Sequence, residues 1–288
     1  MTGYGNGSVP SNGSVNGHRN GNGNGGWRSR ENGRRPNRET GKAVILAGGR
    51  GTRLAPYTSI LPKPLMPIGD RSILEIVVGQ LATHGFSDIA FSVGYLSHLI
   101  RAVFDHRAER GVTITYVQEQ EALGTAGPLR LVPGLDETFL AMNGDVLTTL
   151  DYRGLVRHHQ EAGNVLTIAT HRRTVKIDYG VLYLEEDAID LGPVQAYEEK
   201  PEIASLVSMG VYVLEPEAVE YIPESSYFDI PDLVQTLLEH GEPVGAYTYD
   251  GMWFDIGRKD DYELAVETWQ TSRNGGPAEI TEPLGSHA

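Results

Sequence analysis

Apolar and polar positions follow two different patterns along the chain. Up to residue 162, short apolar runs are separated by longer segments whose apolar residues recur every three to four positions. AVILA (43–47) predicts a buried strand, ILEIVVGQLATHG (73–85) an amphipathic helix, DIAFSVG (88–94) a second strand, and LSHLIRAVFDHRAERG (96–111) a helix ending at glycine. TITYV (113–117) predicts a strand, a helix is expected after Gly124, and TFLAMNGD (138–145) and residues 151–162 form the next strand and helix. This alternation predicts a mostly parallel sheet covered on both faces.

Past residue 164 the pattern changes. VLTIATHR (165–172), GVLYLEE (180–186), VQAYEEK (194–200) and SLVSMGVYVLE (205–215) are strand-like and closely spaced, which predicts an antiparallel extension at one end of the first sheet. A helix at 230–241, a strand at 244–249 and a helix at 258–271 close the domain. The expected fold class is α/β: a mostly parallel, Rossmann-like sheet flanked by helices, with a smaller antiparallel extension. No solenoid-type repeat is present.

Composition trims this picture at both ends. Residues 1–40 hold ten glycines, eight asparagines and six arginines against Glu31 and Glu39, with almost nothing apolar to offset ordering entropy. They are expected to be a disordered tail, as are residues 273–288, leaving a domain over 41–272. A basic docking arm is the alternative reading of the first tail.

The chain is 288 residues long, with a net charge of −14, and contains no cysteine. The charge argues against nucleic acid as a partner, because such binding rests on clustered Lys and Arg. Disulfides and thiolate metal sites are excluded. The apolar runs are too short to span a bilayer and the N-terminus lacks an apolar signal region, so no membrane partner and a cytoplasmic location are expected.

The candidate chemistry begins in LAGGRGTRLAPYTSILPKPLMPIG (46–69). No Gly-Lys-Ser/Thr follows the glycines, so this is not a Walker A loop, and the third glycine of G-x-G-x-x-G is missing. Gly48, Gly49 and Gly51 can still bring backbone N–H groups close to phosphate oxygens, and Arg53 adds a planar guanidinium. Lys63 lies between Pro62 and Pro64, so its backbone is stiffened in advance. A tight turn and a surface lysine are the bland alternatives. The combination suits a clamp on a polyphosphate. Asn143-Gly144-Asp145 ends another expected strand, and ligands of open α/β sheets bind at such strand ends. His158 and His159 lie on a helix remote from these motifs and are expected at the surface.

LAGGRGTRLAPYT followed by LPKPLMPIG resembles the signature of the sugar-1-phosphate nucleotidyltransferases. The resemblance continues in order through EALGTAGP (121–128), NGD (143–145), YG (179–180), EEKP (198–201), MGVYVL (209–214) and WFDIG (253–257), covering roughly residues 42–270. It implies transfer of a nucleotidyl group from a nucleoside triphosphate to a sugar 1-phosphate, or a sugar-like cyclitol phosphate, with release of pyrophosphate. By resemblance, Arg53 and Lys63 are catalytic, and Leu46, Ala47, Gly48, Gly49, Gly51, Thr52, Gly124 and Thr125 hold the nucleotide. Asn143, Gly144, Tyr179, Gly180, Glu199, Lys200 and Gly210 bind the sugar phosphate, and Asp145 and Asp255 hold Mg²⁺. The domain would then divide into a nucleotide half (41–150) and a sugar half (151–272). Association into homo-oligomers is implied for chains of this size.

Members that use thymidine or uridine nucleotides read the base with a glutamine near the strand end, where this chain has Glu119, with Glu121 two residues on. One carboxylate can accept both adjacent donors of guanine, N1–H and the N2 amino group, whereas thymine and uracil present a single donor flanked by acceptors. GTP is therefore the favoured donor, with thymidylyl or uridylyl transfer to glucose 1-phosphate as the alternative. LGTAGP is also similar to the form found in mannose-1-phosphate guanylyltransferases. The chain stops soon after Trp269, without the left-handed β-helix of longer members, which disfavours a bifunctional acetyltransferase. A non-catalytic regulatory paralogue is the competing class, but it should have lost the cations or carboxylates retained here. A dinucleotide-dependent oxidoreductase fails on the missing glycine.

Overall fold

Strand β1 (Ala43–Ala47) shows how the pattern becomes a fold. Its side chains alternate between two cores: Ala43, Ile45 and Ala47 enter one, and Val44 the other. A strand buried on both faces has no use for polar alternation, which is why AVILA is apolar throughout. Each large side chain fully buried in this way, such as Ile45 or Phe91, stabilises the fold by about 2–3 kcal/mol.

The computed structural model describes residues 41–49, 51–105, 111–184, 192–257 and 259–273. After β1 come β2 (Pro67–Ile68), β3 (Arg71–Ser72), α1 (Ile73–Thr83), β4 (Asp88–Val93), α2 (Ser97–Phe104), β5 (Thr113–Gln118), β6 (Phe139–Asn143), β7 (Val146–Thr148) and α3 (Tyr152–Ala162). The second half holds β8 (Leu166–Lys176), β9 (Gly180–Leu184), β10 (Val194–Glu199), β11 (Glu202–Leu214), α4 (Pro216–Glu220), α5 (Ile230–Glu239), β12 (Val244–Thr248), β13 (Trp253–Asp255) and α6 (Lys259–Arg273). The tails expected at 1–40 and 274–288 lie outside the described residues, as do 106–110 of the second helix and 185–186 of the strand expected at 180–186. Arg273, expected to open the second tail, ends α6.

Seven strands form one sheet in the order β12-β8-β11-β6-β1-β4-β5. All neighbours are parallel except at β11, which runs antiparallel to both β8 and β6. Helices α1, α2, α3 and α6 contribute to the core on one face, and α4 and α5 to the core on the other. This is the expected α/β class, with its sheet covered on both faces. The antiparallel extension is also present: the outer halves of β8 and β11 continue past their other neighbours as a two-stranded arm, and β9 pairs with β10 as a separate hairpin.

Two local expectations change. Instead of a helix after Gly124 there is a short 3-10 turn, Gly127–Leu131, because Ala126 N and Gly127 N both donate to Phe228 O (2.9 and 3.0 Å), and this segment is tied to a distant one. His159 is not at the surface: it is fully buried, its Nδ1 2.8 Å from Thr167 Oγ1 and its Nε2 3.1 Å from Glu215 Oε1. Its polar atoms are satisfied, which is what allows an imidazole on the core face of α3.

Candidate active site

The chain moves from β1 through β4 to β5 on one side and then returns to place β6 on the other side of β1. Loops leaving β1 and β6 therefore diverge, and a cleft of about 650 Å³ opens at the carboxyl ends of these strands. Leu46, Ala47, Gly48, Gly49, Gly51 and Arg53 enter it from β1, and Asn143 and Asp145 from β6. Glu119, Glu121, Gly124 and Thr125 enter from the segment after β5.

The glycine turn and the lysine segment touch. Gly51 has φ of +60°, and a Cβ there would lie 3.2 Å from Lys63 Cβ. Its carbonyl accepts from Leu54 N (3.0 Å) and Thr58 Oγ1 (2.8 Å), which closes the loop. Gly49 differs, because a Cβ there would meet nothing within 4 Å; its backbone faces open space in the cleft. Lys63 begins a 3-10 turn after Pro62, with the following Pro64 and Leu65 buried.

From this anchored backbone the Lys63 side chain, 11 % exposed, reaches the cleft floor, where its ammonium donates to Asp145 Oδ2 and stands 3.8 Å from Asp255 Oδ1. The two carboxylates are neighbours because β13 pairs with β7, with Asp255 opposite Val146, and because Ile256 N donates to Asp145 O (3.1 Å). Burial pushes the Asp145 carboxyl above the ordinary carboxylate range; the Lys63 charge and hydrogen bond pull it down, and the nearby Asp255 charge raises it. Asp145 Oδ1 is buried without a hydrogen-bond partner among the described residues.

An orphaned carboxylate oxygen beside a second carboxylate fits a divalent cation that takes hard oxygen donors. No group of three His, Cys, Asp or Glu among the described residues is placed to hold a metal ion together, so the other ligands of such an ion would be water or substrate phosphate.

Glu119 lies across the glycine turn. Its Oε1 accepts from buried Ser92 Oγ (2.7 Å), its Oε2 accepts from Leu123 N (3.4 Å), and a Cβ on Gly48 would stand 2.4 Å from Oε1. Glu121 is exposed. Gly144 N donates to Leu46 O (2.9 Å), joining the ends of β6 and β1. Gly210, at φ of +73°, sits where β11 has two surplus residues against β8, and a Cβ there would stand 2.7 Å from Asn143 Nδ2.

Other expected residues lie elsewhere. Thr52 is exposed and does not line the cleft. Tyr179, Gly180, Glu199 and Lys200 gather with one another at the β9–β10 hairpin: Lys200 N donates to Tyr179 O (3.3 Å), and Glu199 accepts from the Tyr197 hydroxyl, which also covers Gly180. Tyr179 is 78 % exposed, and none of the four is among the cleft-lining residues. Conversely, Tyr227 and Asp229 line the cleft although no motif singled them out. The only signal in the sequence is Asp229-x-x-Asp232 before an apolar run, which announces a helix start and nothing more.

The sheet order and this strand-end cleft define a nucleotide-type α/β protein. The chain belongs to the Nucleotidyl transferase family, whose profile matches residues 42–272. It is 34 % identical over 245 residues to a UTP–glucose-1-phosphate uridylyltransferase of Synechocystis (78 % of this chain, 62 % of the relative), and 32 % identical over 228 residues to a mannose-1-phosphate guanyltransferase of Debaryomyces hansenii (77 % and 62 %). The chain thus spans about 62 % of the length of these curated relatives. Two crystal structures of HddC from Yersinia pseudotuberculosis, one complexed with GMP-PN, are 25 % identical, with TM-scores of 0.61 and 0.59, each covering 79 % of this chain and 99 % of its own. No helix among the described residues is long and apolar enough to cross a membrane.

Proposed function

We propose that the chain transfers a nucleotidyl group from a nucleoside triphosphate, GTP in preference, to a sugar 1-phosphate or sugar-like cyclitol phosphate. The observation that carries this reading is the meeting of Lys63, Asp145 and Asp255 beneath the glycine turn that also bears Arg53. Joining two polyanions needs cations and backbone donors fixed before the reactants arrive.

A phosphate oxygen of the sugar phosphate attacks the α-phosphorus, a new P–O bond forms in line, and the bond to the pyrophosphate oxygen breaks. Backbone N–H groups of Gly48, Gly49 and Gly51 orient the triphosphate. Arg53 neutralises the departing pyrophosphate, and Lys63 the charge that grows around the α-phosphate. Asp145 and Asp255 would hold Mg²⁺, which supplies further charge neutralisation at the phosphates when bound. Residues 41–150 form the nucleotide half in this reading and 151–272 the sugar half; Glu199 and Lys200, which the resemblance assigns to the sugar phosphate, stand on the β9–β10 hairpin outside the cleft-lining residues and are given no part in the step.

Guanine is favoured by the carboxylates at 119 and 121, and HddC complexed with GMP-PN and the guanyltransferase relative support it. The Synechocystis relative supports a second reading, uridylyl transfer. A matrix of triphosphates against sugar 1-phosphates, read as pyrophosphate release, tests both. The expected result is highest kcat/KM with GTP and loss of that preference in Glu119→Gln. A wild-type preference for UTP or dTTP overturns the guanine reading, and no release from any pair overturns catalysis itself.

A further inference from the structure

The cleft has a wall contributed from far along the chain. Asp229 Oδ1 accepts from Thr125 N (2.8 Å) and from Thr125 Oγ1 (3.0 Å), across a sequence separation of 104. Thr125 Oγ1 in turn accepts from Ile230 N (2.8 Å), and Phe228 N donates to Leu123 O (2.9 Å). Gly124 completes the join, since at φ of +79° a Cβ would stand 2.6 Å from Phe228 O. The loop after β5 and the start of α5 are thus zipped into one unit, and Asp229 is its central acceptor.

The other oxygen of this carboxylate, Oδ2, accepts from the Tyr227 hydroxyl at 2.8 Å. A phenol has one proton to give, and an ionised carboxylate has none, so the direction of this bond is fixed. With that proton committed to Asp229, the phenol oxygen offers only lone pairs to the cleft that it lines. Tyr227 is 63 % exposed, so a ligand can reach it. A spot that only accepts, backed by a carboxylate, repels phosphate and selects a donor. On the proposed transfer reading, both substrates carry ring hydroxyls.

We infer that Tyr227 accepts a hydrogen bond from a sugar-ring hydroxyl of a substrate, and that Asp229 is a positioning residue that aims the phenol and holds Thr125. The hydroxyl belongs either to the ribose of the nucleotide or to the ring of the acceptor. The chemistry is the same in both.

The test compares parent substrates with 2′- and 3′-deoxynucleoside triphosphates and with ring-deoxy sugar 1-phosphates, in wild type, Tyr227→Phe and Asp229→Asn. Wild type should penalise one deoxy analogue by about 3- to 10-fold in kcat/KM, the range of a single neutral hydrogen bond. Tyr227→Phe should lose that discrimination while circular dichroism stays unchanged. A deoxynucleotide as the penalised analogue assigns the ribose, and a deoxy acceptor assigns the acceptor ring.

In Asp229→Asn the amide N–H donates to the phenol, whose own proton then turns toward the cleft. Discrimination should change, because a bond that the ring hydroxyl donated must become one that it accepts, and the double variant should discriminate no more than Tyr227→Phe alone. Unchanged ratios in Tyr227→Phe, or Asp229→Asn losses equal for all substrates, overturn the inference. Wild-type turnover in the same assay leaves the transfer reading standing in that event. The same ratios measured as Kd by calorimetry test Tyr227 even in a chain that binds without turning over.

Discussion

Lys63 meets two carboxylates before it meets any substrate. Its backbone is held by flanking prolines and a buried turn, so its ammonium has few alternatives to the cleft floor. Lys63→Met keeps the packed stem and removes the charge. It is expected to lower kcat by about 100-fold or more, the scale for losing one preorganised charge-stabilising group, with an unchanged circular dichroism spectrum. Unaltered kcat would remove Lys63 from the chemistry.

The sequence exposed this part of the site because Arg53, Lys63 and the glycines belong to one contiguous stretch whose residue types already imply a polyphosphate clamp. Tyr227 gave no such sign, since its role depends on Asp229 and on a loop about a hundred residues earlier. His159 failed for another reason. Its position follows Tyr152, Leu155 and Val156 on the buried face of α3, but its polarity suggested solvent, and the partner Glu215 that satisfies it lies 56 residues away.

Among the strands, β1, β4 and β6 were readable because double-sided burial leaves a nearly continuous apolar run, broken in β4 only by the buried Ser92. The β2–β3 and β7–β13 pairs were not, since each contributes only two or three residues, too few to show a period. Yet β7–β13 brings Asp255 to Asp145, so an illegible element completes a legible motif. The irregularity in β11 is equally silent in sequence apart from Gly210, whose left-handed backbone and closeness to Asn143 leave no room for a side chain. Gly210→Ala is expected to cost about 1–3 kcal/mol in urea unfolding. By displacing Asn143 from the cleft it should also raise KM for the sugar phosphate. Full stability with unchanged KM would show that the strand absorbs the methyl group elsewhere.

Beyond about 10 Å, the screening distance in ordinary buffer, two approaching polyanions feel little of the chain's net charge of −14, and within that distance the charges lining the cleft act on them directly. The local cations therefore decide binding. Because Lys63 itself pairs with both carboxylates, stripping divalent ions with EDTA should abolish turnover yet move Tm by no more than about 2 °C, and added Mg²⁺ should restore activity. A large fall in Tm would mean that the ion is structural. Strand β11, finally, is held in two ways along its length: its last three residues pair with both β6 and β8, while its first seven pair with β8 alone. In mechanical terms the arm is a cantilever whose root is the surplus pair of residues beside Asn143. Any load on its tip has its greatest leverage there, at the lip of the cleft that Asn143 lines.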